Sequence, residues 1–378
     1  MRTPNLKGPL RAQADELDGI LILANEVMRI GQGRKPTIAT DYSFIYNPKN
    51  AENITIVKDG DRVVSMAGMW PNTVEIGPAR LRAGGINCVA TLPGYRGHRL
   101  ATKVMQDSMG YMASCGCLLG RLTTDINDWY HRLGWENVGS LCTYRFNHSN
   151  VVLLPAMPED LTVTHGTKFS DEIVAAIVRM RQADQIGGER TEEIMRELLE
   201  ADNDASIMGN TSVVIAWRNS TPVAYCLDSD HGVIEWGGPA DLVAGLIRTW
   251  FVRRIGERGG KLGAGGKKKV AASRELTLIA PVTGHPFADL LRSLSLPCQT
   301  DYWGMLYIID PRGILDAFGI DDIAVTETDG QFTLTRNDDS VNVSRQELAK
   351  LLFGPERIID FASDVLPLLF WEWPIAHV

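Results

Sequence analysis

Apolar residues recur at helical spacing in several stretches of the chain. The run from Leu10 to Met28, which ends at Gly31, predicts an amphipathic helix. A second helix is predicted from Leu100 to Met112, and a short third one from Asp128 to Leu133, before Gly134. These three segments provide the helical part of the N-terminal region.

Strand-like runs fill the intervals between these helices. They extend from Ile54 to Lys58, Arg62 to Met69, Thr73 to Ile76, Leu81 to Thr91 and Cys117 to Thr123. Asp59-Gly60 separates the first two runs, and an Asp-Gly pair between apolar segments predicts a β-hairpin. A loop that begins at Pro93 connects the run ending at Thr91 to the second helix.

After a loop-like stretch from Asn147 to Asp160, the order of elements repeats. Helices are predicted from Ser170 to Arg181, Thr191 to Ala201, Asp241 to Glu257 and Pro286 to Leu294. Strands are predicted from Thr211 to Trp217, Pro222 to Asp228, Gly232 to Trp236 and Glu275 to Ala280. The second region therefore echoes the first in element order, though not in its residues.

The last segment, from about Asp310, has a different pattern. Two alternating runs around Asn337-Asp338-Asp339 predict a hairpin, and Ser344 opens a capping box before a helix that Gly354-Pro355 ends. The final residues, from Phe370 to Val378, are strongly apolar. Because such a terminus would be costly to leave in water, we expect it to pack against another part of the protein.

The composition is that of a globular protein. Of the 378 residues, 44% are hydrophobic and 22% are charged. The 38 Lys and Arg against 46 Asp and Glu give a formal charge of −8, which argues against a nucleic-acid-binding surface and favours cationic partners. The first residues contain no apolar signal-peptide core, and no apolar run reaches the ~18 residues that a bilayer requires. We expect a cytoplasmic protein that binds neither nucleic acid nor membrane.

The six cysteines are too few for a disulfide scaffold in a chain of this length. Most lie in apolar stretches, so we expect buried, reduced thiols. Cys115 and Cys117 have no second Cys or His pair at zinc-site spacing, and we therefore expect no metal.

The segment from Val89 to Thr102 is the first place where chemistry could occur. A strand leads through a loop with glycines and arginines into a helix, whose first N–H groups can bind an anion such as a diphosphate. The arginines and His98 add positive charge. The alternative is a turn that merely requires Gly94 and Gly97 for positive φ. The segment from Gly259 to Lys269 does not match the residue spacing of a phosphate-loop motif, and we therefore expect a flexible surface loop there.

A second cluster, from Asp125 to Trp135, joins a strand end to the short helix that carries Tyr130. A tyrosine hydroxyl with an ordinary pKa of about 10 is protonated at neutral pH and can donate its proton to a departing anion. The alternative is a core or rim tyrosine without a chemical role.

Together these two clusters resemble the GNAT (Gcn5-related N-acetyltransferase) superfamily. The family loop Q/R-x-x-G-x-G/A is matched by RGHRLA from Arg96 to Ala101, with Arg99 at the usual glycine position. The family's aromatic-Tyr signature is matched by WYHRLGW from Trp129 to Trp135. The degenerate second region and a sterol-carrier-like C-terminal region make the whole chain resemble the Eis (enhanced intracellular survival) type of acetyltransferase.

The resemblance implies an α+β fold with two GNAT-like mixed-sheet domains followed by a sterol-carrier-like α+β domain. We expect the catalytic domain at 1–150, a degenerate domain at 151–309 and the C-terminal domain at 310–378. Glu235 to Ala240 replaces the cofactor loop in the second domain, which is therefore expected to be structural. The resemblance also implies a homo-oligomer, with hexameric rings as the family's arrangement.

The same resemblance implies direct transfer of an acetyl group from acetyl-CoA to a small cationic amine. Tyr130 would be the general acid, the C-terminal carboxylate of Val378 the base, and the N–H of Val89 or Ala90 the oxyanion donor. The residues implied to bind acetyl-CoA are Val89, Ala90, Thr91, Arg96, Gly97, His98, Arg99, Leu100, Ala101, Thr102, Asp125 and Ile126.

The acceptor site and one competing function stay open at this stage. Glu26, Asp41, Glu75 and Glu372 could attract a cationic amine, but each could equally be a surface carboxylate. The competing function is a non-catalytic protein that binds an apolar ligand or lipid and uses the GNAT-like units as a scaffold. Arg99 at the glycine position and the apolar C-terminal segment motivate it.

Overall fold

The computed structural model describes residues 5–200, 211–259 and 275–376. Its α-helices are α1 (Leu17–Met28), α2 (Ile38–Asp41), α3 (Leu100–Ser114), α4 (Asn127–His131), α5 (Asp171–Asp184), α6 (Glu192–Glu200), α7 (Ala240–Gly259), α8 (Pro286–Ser293), α9 (Pro311–Ala317) and α10 (Arg345–Phe353). Its strands are β1 (Leu6–Arg11), β2 (Thr55–Asp59), β3 (Arg62–Ile76), β4 (Ala79–Thr91), β5 (Leu119–Leu122), β6 (Glu136–Val138), β7 (Leu141–Phe146), β8 (Thr162–Gly166), β9 (Ile186–Gly188), β10 (Ser212–Arg218), β11 (Thr221–Ser229), β12 (Gly232–Gly237), β13 (Leu276–Pro281), β14 (Cys298–Asp301), β15 (Gly304–Ile308), β16 (Ala324–Thr328), β17 (Gln331–Arg336) and β18 (Asp339–Ser344).

These strands form three sheets. The first has the order β1-β2-β3-β4-β5-β15-β6, with β9 also pairing with β3, and the second has the order β14-β7-β13-β12-β11-β10-β8. The third is the antiparallel sheet β16-β17-β18. The pairs β4/β5 and β12/β13 are parallel and the first two sheets are otherwise antiparallel, which confirms the predicted α+β class with mixed sheets.

The first and second sheets repeat one pattern of pairing. In the first, β2, β3 and β4 pair antiparallel, α3 crosses over, and β5 returns parallel to β4. In the second, β10, β11 and β12 pair antiparallel, α7 crosses over, and β13 returns parallel to β12. The echo predicted from element order is therefore present in the topology.

The helix predicted from Leu10 is wrong at its start. Leu6–Arg11 is an edge strand paired with β2, and the α-helix begins only at Leu17. Pro9 lies at the register break of this strand pair, a position that proline tolerates because an edge strand need not donate all its N–H groups. Leu10 is 44% exposed, so its helical spacing from Leu17 is a coincidence.

Two strands cross the expected domain limits. β7 precedes the predicted loop at 147–160 but belongs to the second sheet. β15 follows every strand of the second sheet in the sequence but inserts into the first sheet, between β5 and β6. That 1–150, 151–309 and 310–378 fold as separate units stays a prediction, and so does the likeness of the last range to a sterol carrier.

The apolar C-terminal segment packs inside the protein, as expected. Phe370, Trp371 and Trp373 are fully buried, and Trp373 contacts Trp236 of β12 edge to face with 4.6 Å between the ring centroids. Between α10 and Ala376, where the described residues end, the chain forms no strand or α-helix, and a 3-10 turn forms at Pro374–Ala376. The segment's burial comes from side-chain packing and from individual hydrogen bonds, such as that from the Trp303 indole to the Glu372 carbonyl, rather than from a regular element.

The cysteine predictions are confirmed in part. Cys88, Cys117, Cys142 and Cys226 are buried, whereas Cys298 is exposed because β14 is an edge strand of the second sheet. None of the helices in the described ranges is long and apolar enough to cross a membrane. Those ranges also contain no group of three or more His, Cys, Asp or Glu residues placed to hold a metal ion.

Candidate active site

A β-bulge interrupts β4 where it passes Ala67 of β3. Met66 pairs with Ala90 and Gly68 pairs with Asn87, so Cys88 and Val89 together stand opposite a single residue. Cys88 has a φ of 50°, in the left-handed region. A bulge of this kind leaves one residue outside the ladder, which makes backbone groups at Cys88–Val89 available to a ligand.

The strands β4 and β5 part immediately before this bulge. Their parallel pairing covers only Ala83–Gly85 against Leu119–Arg121, although β4 continues to Thr91. A parallel pair that ends in this way leaves a gap between the two strands. The bulge lies on one side of the gap, and the chain that leads to α4 lies on the other.

The loop after β4 and the start of α3 form the predicted anion site. The loop makes a 3-10 turn at Pro93–Tyr95, and Arg96 to Arg99 is exposed. Gly97 has a φ of 83° and open space where a Cβ would stand, whereas Gly94 has no positive φ. The first N–H groups of α3 have no partner one turn earlier, as at every helix start. They therefore face solvent beside two arginines and His98.

Arg99 adopts the left-handed conformation directly before α3, with φ 56° and ψ 25°. This is the position at which the resembling family usually has glycine, and glycine adopts such angles without steric cost. The carbonyl of Arg99 accepts the first helical bond, from the N–H of Lys103 at 3.0 Å. The backbone therefore keeps the glycine-type geometry although a side chain is present.

Within the helix, Leu100 is buried in the core, and Ala101 and Thr102 are half-buried. On β4, Ala90 is buried and Val89 and Thr91 are half-buried. The Thr91 hydroxyl lies 2.8 Å from that of Ser65, a contact that fixes the end of the strand.

Tyr130 on α4 lies close to the bulge. Its side chain is 7% exposed, its ring meets Trp129 edge to face at 4.7 Å, and its carbonyl accepts from the N–H of Trp135 at 3.2 Å. Burial, together with a smaller effect of the nearby Cys88 thiol, raises the pKa of Tyr130 to about 12. Its hydroxyl makes no hydrogen bond within the described part of the chain, so its proton is available to a ligand.

The segment between β5 and α4 borders the same gap. Asp125 is exposed, and Ile126 is 60% exposed although it is a large apolar residue. The N–H of Ile126 donates to the hydroxyl of Thr124 at 3.2 Å, which fixes the turn into α4. An exposed isoleucine beside an open gap is suited to contact the apolar arm of a ligand.

A polar cluster beside Cys88 was not predicted. The Tyr46 hydroxyl donates to Asn87 at 2.9 Å, and Arg29 forms a buried ion pair of 2.7 Å with Asp41. These contacts join the α1–α2 region to the bulge. No spacing in the sequence indicates them, because 41 residues separate Tyr46 from Asn87.

The four acidic residues considered for the acceptor site have different surroundings. Glu26 lies at the surface, 3.5 Å from Arg62, and Glu75 pairs with Arg80 at a cavity rim. Asp41 and Glu372 are both buried, so the surface-carboxylate interpretation is wrong for these two.

The predicted base, Val378, lies outside the described residues. The described chain ends at Ala376, whose carbonyl is 3.4 Å from Nη1 of Arg121. Arg121 is the last residue of β5 that pairs with β4. The described part of the tail therefore ends beside Arg121, at the point where the two strands part.

The corresponding loop of the second sheet is filled by the protein itself. Glu235 is fully buried, pairs with Arg190 at 2.7 Å and accepts from the hydroxyl of Tyr225 at 2.8 Å. A Cβ at Gly238 would lie 2.6 Å from the carbonyl oxygen of Val223, so no space remains above this turn. Most of the glycine- and lysine-rich loop from Gly259 to Lys269 lies outside the described residues.

A cavity in the C-terminal region bears on the apolar-ligand hypothesis. It lies between α10 and the tail and is lined by residues including Leu351, Phe361 and Leu366, but its volume is only about 10 Å³. That is about the space of a single water molecule. It offers no room for a lipid.

Part of the chain is similar to a known protein family. Residues 10–138 match the family described as acetyltransferase (GNAT) domain. No curated protein matches the chain at a significant level. The matched range includes β4, the loop, α3 and Tyr130.

Several solved structures share the fold over most of the chain at low identity. A GCN5-related N-acetyltransferase from Kribbella flavida is 16% identical, with 92% of this chain and 88% of that one covered and a TM-score of 0.60. A probable N-acyltransferase from Enterococcus faecalis is 13% identical, with coverages of 93% and 90% and a TM-score of 0.62. Eis1 from Mycobacterium abscessus is 14% identical, with coverages of 94% and 90% and a TM-score of 0.60. The region that holds the loop and Tyr130 is thus similar to a GNAT acetyltransferase domain, within a fold that the chain shares with Eis1 over most of its length.

Proposed function

We propose that the protein is an N-acetyltransferase that moves the acetyl group of acetyl-CoA directly to a small cationic amine. One observation carries the proposal: a bulged β4, an open helix start and a buried, protonated tyrosine meet at the gap between β4 and β5. The family match over residues 10–138 supports the same chemistry.

The residues around the gap fit acetyl-CoA. The N–H groups from Gly97 to Thr102, with the exposed side chains of Arg96, His98 and Arg99, would hold the diphosphate. Backbone groups of Val89 to Thr91 would bind the pantetheine arm, with Asp125 and Ile126 on the facing side.

The reaction needs a neutral amine, a donor for the thioester oxygen and an acid for the leaving thiolate. The Val378 carboxylate would take the proton of the attacking amine, directly or through water. The N–H of Val89 or Ala90 would donate to the thioester oxygen as negative charge develops there. Tyr130 would give its proton to the sulfur as the carbon–sulfur bond breaks.

The raised pKa of Tyr130 suits an acid rather than a base. Burial disfavours the phenolate, so the hydroxyl remains protonated throughout the neutral and mildly alkaline range in which the amine loses its own proton. Amine and acid can therefore both be in their reactive forms at the same pH. No cysteine nucleophile is required.

The acceptor is proposed to be cationic because the protein carries a formal charge of −8. Homo-oligomer formation, cytoplasmic location and independence from metal, nucleic acid and membrane remain parts of this proposal.

Tyr130→Phe tests the mechanism, with Tyr144→Phe as the control because Tyr144 is a buried tyrosine on β7 of the second sheet. Thiol release from acetyl-CoA is measured with a panel of small polyamines and amino sugars. We expect Tyr130→Phe to lower kcat by about 10²–10⁴-fold, the usual range for loss of a general acid. Tyr144→Phe should retain the wild-type rate.

Acetyl-CoA binding is measured first, by thermal denaturation of the wild type and both variants. A ligand at a hundred times its Kd stabilises the folded state by about 2.7 kcal/mol. We expect that shift in all three proteins. The proposal is wrong if millimolar acetyl-CoA stabilises none of the three proteins and thiol is not released from acetyl-CoA with any amine in the panel.

A further inference from the structure

Glu372 lies between residues of the first two sheets. It is completely buried (0% exposed) and follows Trp371 in the C-terminal segment. Its Oε1 accepts from the N–H of Gly188 at 2.9 Å and from the N–H of Trp373 at 3.0 Å. One carboxylate oxygen thus binds the tail to β9, which is 184 residues away in sequence.

Two arginines flank the same carboxylate. Nη2 of Arg190 lies 3.5 Å from Oε1, and Nη2 of Arg121 lies 4.0 Å from Oε2. Arg190 also pairs with Glu235 of β12 at 2.7 Å. A chain of alternating charge therefore runs from β5 of the first sheet, through the tail, to β12 of the second.

The backbone around Glu372 is held from both sides. The indole N–H of Trp303 donates to the Glu372 carbonyl at 3.0 Å, and the indole N–H of Trp373 donates to the carbonyl of Ile186 at 3.0 Å. A Cβ at Gly188 would lie 2.4 Å from Oε2 of Glu372, so the carboxylate fills the space that this glycine leaves. These contacts allow the tail a single position at residue 372.

Arg121 connects this arrangement to the proposed site. Its Nη2 lies beside Glu372, its Nη1 donates to the carbonyl of Ala376 at 3.4 Å, and its backbone ends the β4/β5 pairing. The position of Glu372 thereby determines where the tail meets the gap.

We infer that Glu372 is a positioning residue for acetyl transfer: held by Arg121, Arg190 and Gly188, it directs the C-terminal segment to the gap between β4 and β5. The inference rests on the proposed function, in which the chain terminus supplies the base. It adds that a buried carboxylate six residues before the terminus sets the geometry of the base, without touching either substrate.

Glu372→Gln in the full-length protein tests the inference, with Glu235→Gln as the matched control. Each change removes one buried negative charge beside Arg190, but only Glu372 lies on the tail. We expect Glu372→Gln to lower kcat by about 100-fold, the effect of a small misplacement at a reacting centre, with acetyl-CoA affinity unchanged. Glu235→Gln should lower kcat no more than about threefold, which is about RT in free energy.

The pH–rate profile and a rescue separate positioning from general destabilisation. We expect the pH–rate profile of Glu372→Gln to lack the part in which kcat changes with titration of the base. We expect Glu372→Asp to recover part of kcat because it restores the charge. If Glu372→Gln does not fold, Trp303→Phe tests the same segment of the tail. It removes the indole donor to the Glu372 carbonyl and keeps the Glu372 carboxylate, and it should lower kcat while leaving acetyl-CoA binding intact.

Two results would overturn the inference but not the proposed function. The first is an equal loss of kcat in Glu372→Gln and Glu235→Gln. The second, if Glu372→Gln does not fold, is an unchanged rate in Trp303→Phe. A wild-type protein that binds acetyl-CoA but acetylates no amine would overturn the proposed function, and this inference with it.

Discussion

Arg99 has a backbone conformation that arginine rarely adopts. An L-residue in the left-handed region costs about 1–2 kcal/mol, because its Cβ approaches the following carbonyl. The structure retains this conformation at the start of α3, where the helix N–H groups must face one point. The local geometry therefore depends on the backbone, and the exposed guanidinium is not needed to maintain it.

The free energy of unfolding should be roughly 1 kcal/mol higher for Arg99→Gly than for Arg99→Ala. Both variants lack the charge, but only alanine has a Cβ that strains the left-handed conformation. The free energy of unfolding is measured for both by denaturant titration. If alanine is the more stable of the two, the left-handed conformation at residue 99 is not strained in solution. Acetyl-CoA affinity should change less than about tenfold in either variant, because the N–H groups remain in place.

α10 acts as a support for the element that carries Tyr130. The Gln346 amide donates to the carbonyls of His131 and Trp135, at 3.2 Å and 3.4 Å. The helix begins with the predicted capping box, in which Ser344 and Glu347 satisfy each other's N–H groups. A defect at this cap would therefore act on α4 as well as on α10.

Ser344→Ala should destabilise the protein by about 1 kcal/mol, the usual cost of losing a serine cap. Ser170→Ala is the control, because Ser170 caps α5 with one long bond of 3.4 Å and no reciprocal glutamate. We expect Ser344→Ala to lower Tm more than Ser170→Ala does, as measured by circular dichroism. An equal decrease in Tm would mean that the additional bond from the Ser344 hydroxyl to the Glu347 carboxylate contributes nothing.

Across the whole molecule, the buried ion pairs of the tail join the two large sheets. Burial alone would raise the pKa of the Glu372 carboxyl, but Arg121, Arg190 and Arg181 outweigh it and hold that pKa below its usual 4.5. The unfolded chain therefore takes up this proton at a higher pH than the folded chain. The stabilisation is complete above about pH 4.5 and is lost as the pH falls through the folded-state pKa.

At neutral pH, Glu372→Gln should destabilise the protein by about 3–5 kcal/mol, because it leaves buried guanidinium groups without their partner. The difference from wild type should narrow below about pH 4.5, where the wild-type carboxyl takes up its proton. Urea unfolding of both proteins at several pH values measures this. A difference that stays constant from neutral pH to pH 3 would show that folding does not lower the pKa of this carboxyl.

The elements around the site could largely be predicted from sequence because their signals are local. The β2–β3 hairpin, α3, α4 and the cap of α10 follow from turn residues, apolar spacing and a capping box within a few positions. The start of α1 was wrong because β1 pairs with β2, more than 40 residues away, and pairing overrode the helical spacing. β15 was missed because a short buried strand has no distinguishing period.

The sequence by itself determined which local elements form, and which residues could bind an anion or donate a proton. Spacing and turn chemistry act over a few residues, so they can be seen without a structure. Only the tertiary structure decided that Tyr130 lies beside the Cys88 bulge, that Tyr46 meets Asn87 and that Glu372 is held between Arg121 and Arg190. Such contacts join residues from distant parts of the chain, and packing selects them because a charge removed from water must find its partner wherever the fold places one.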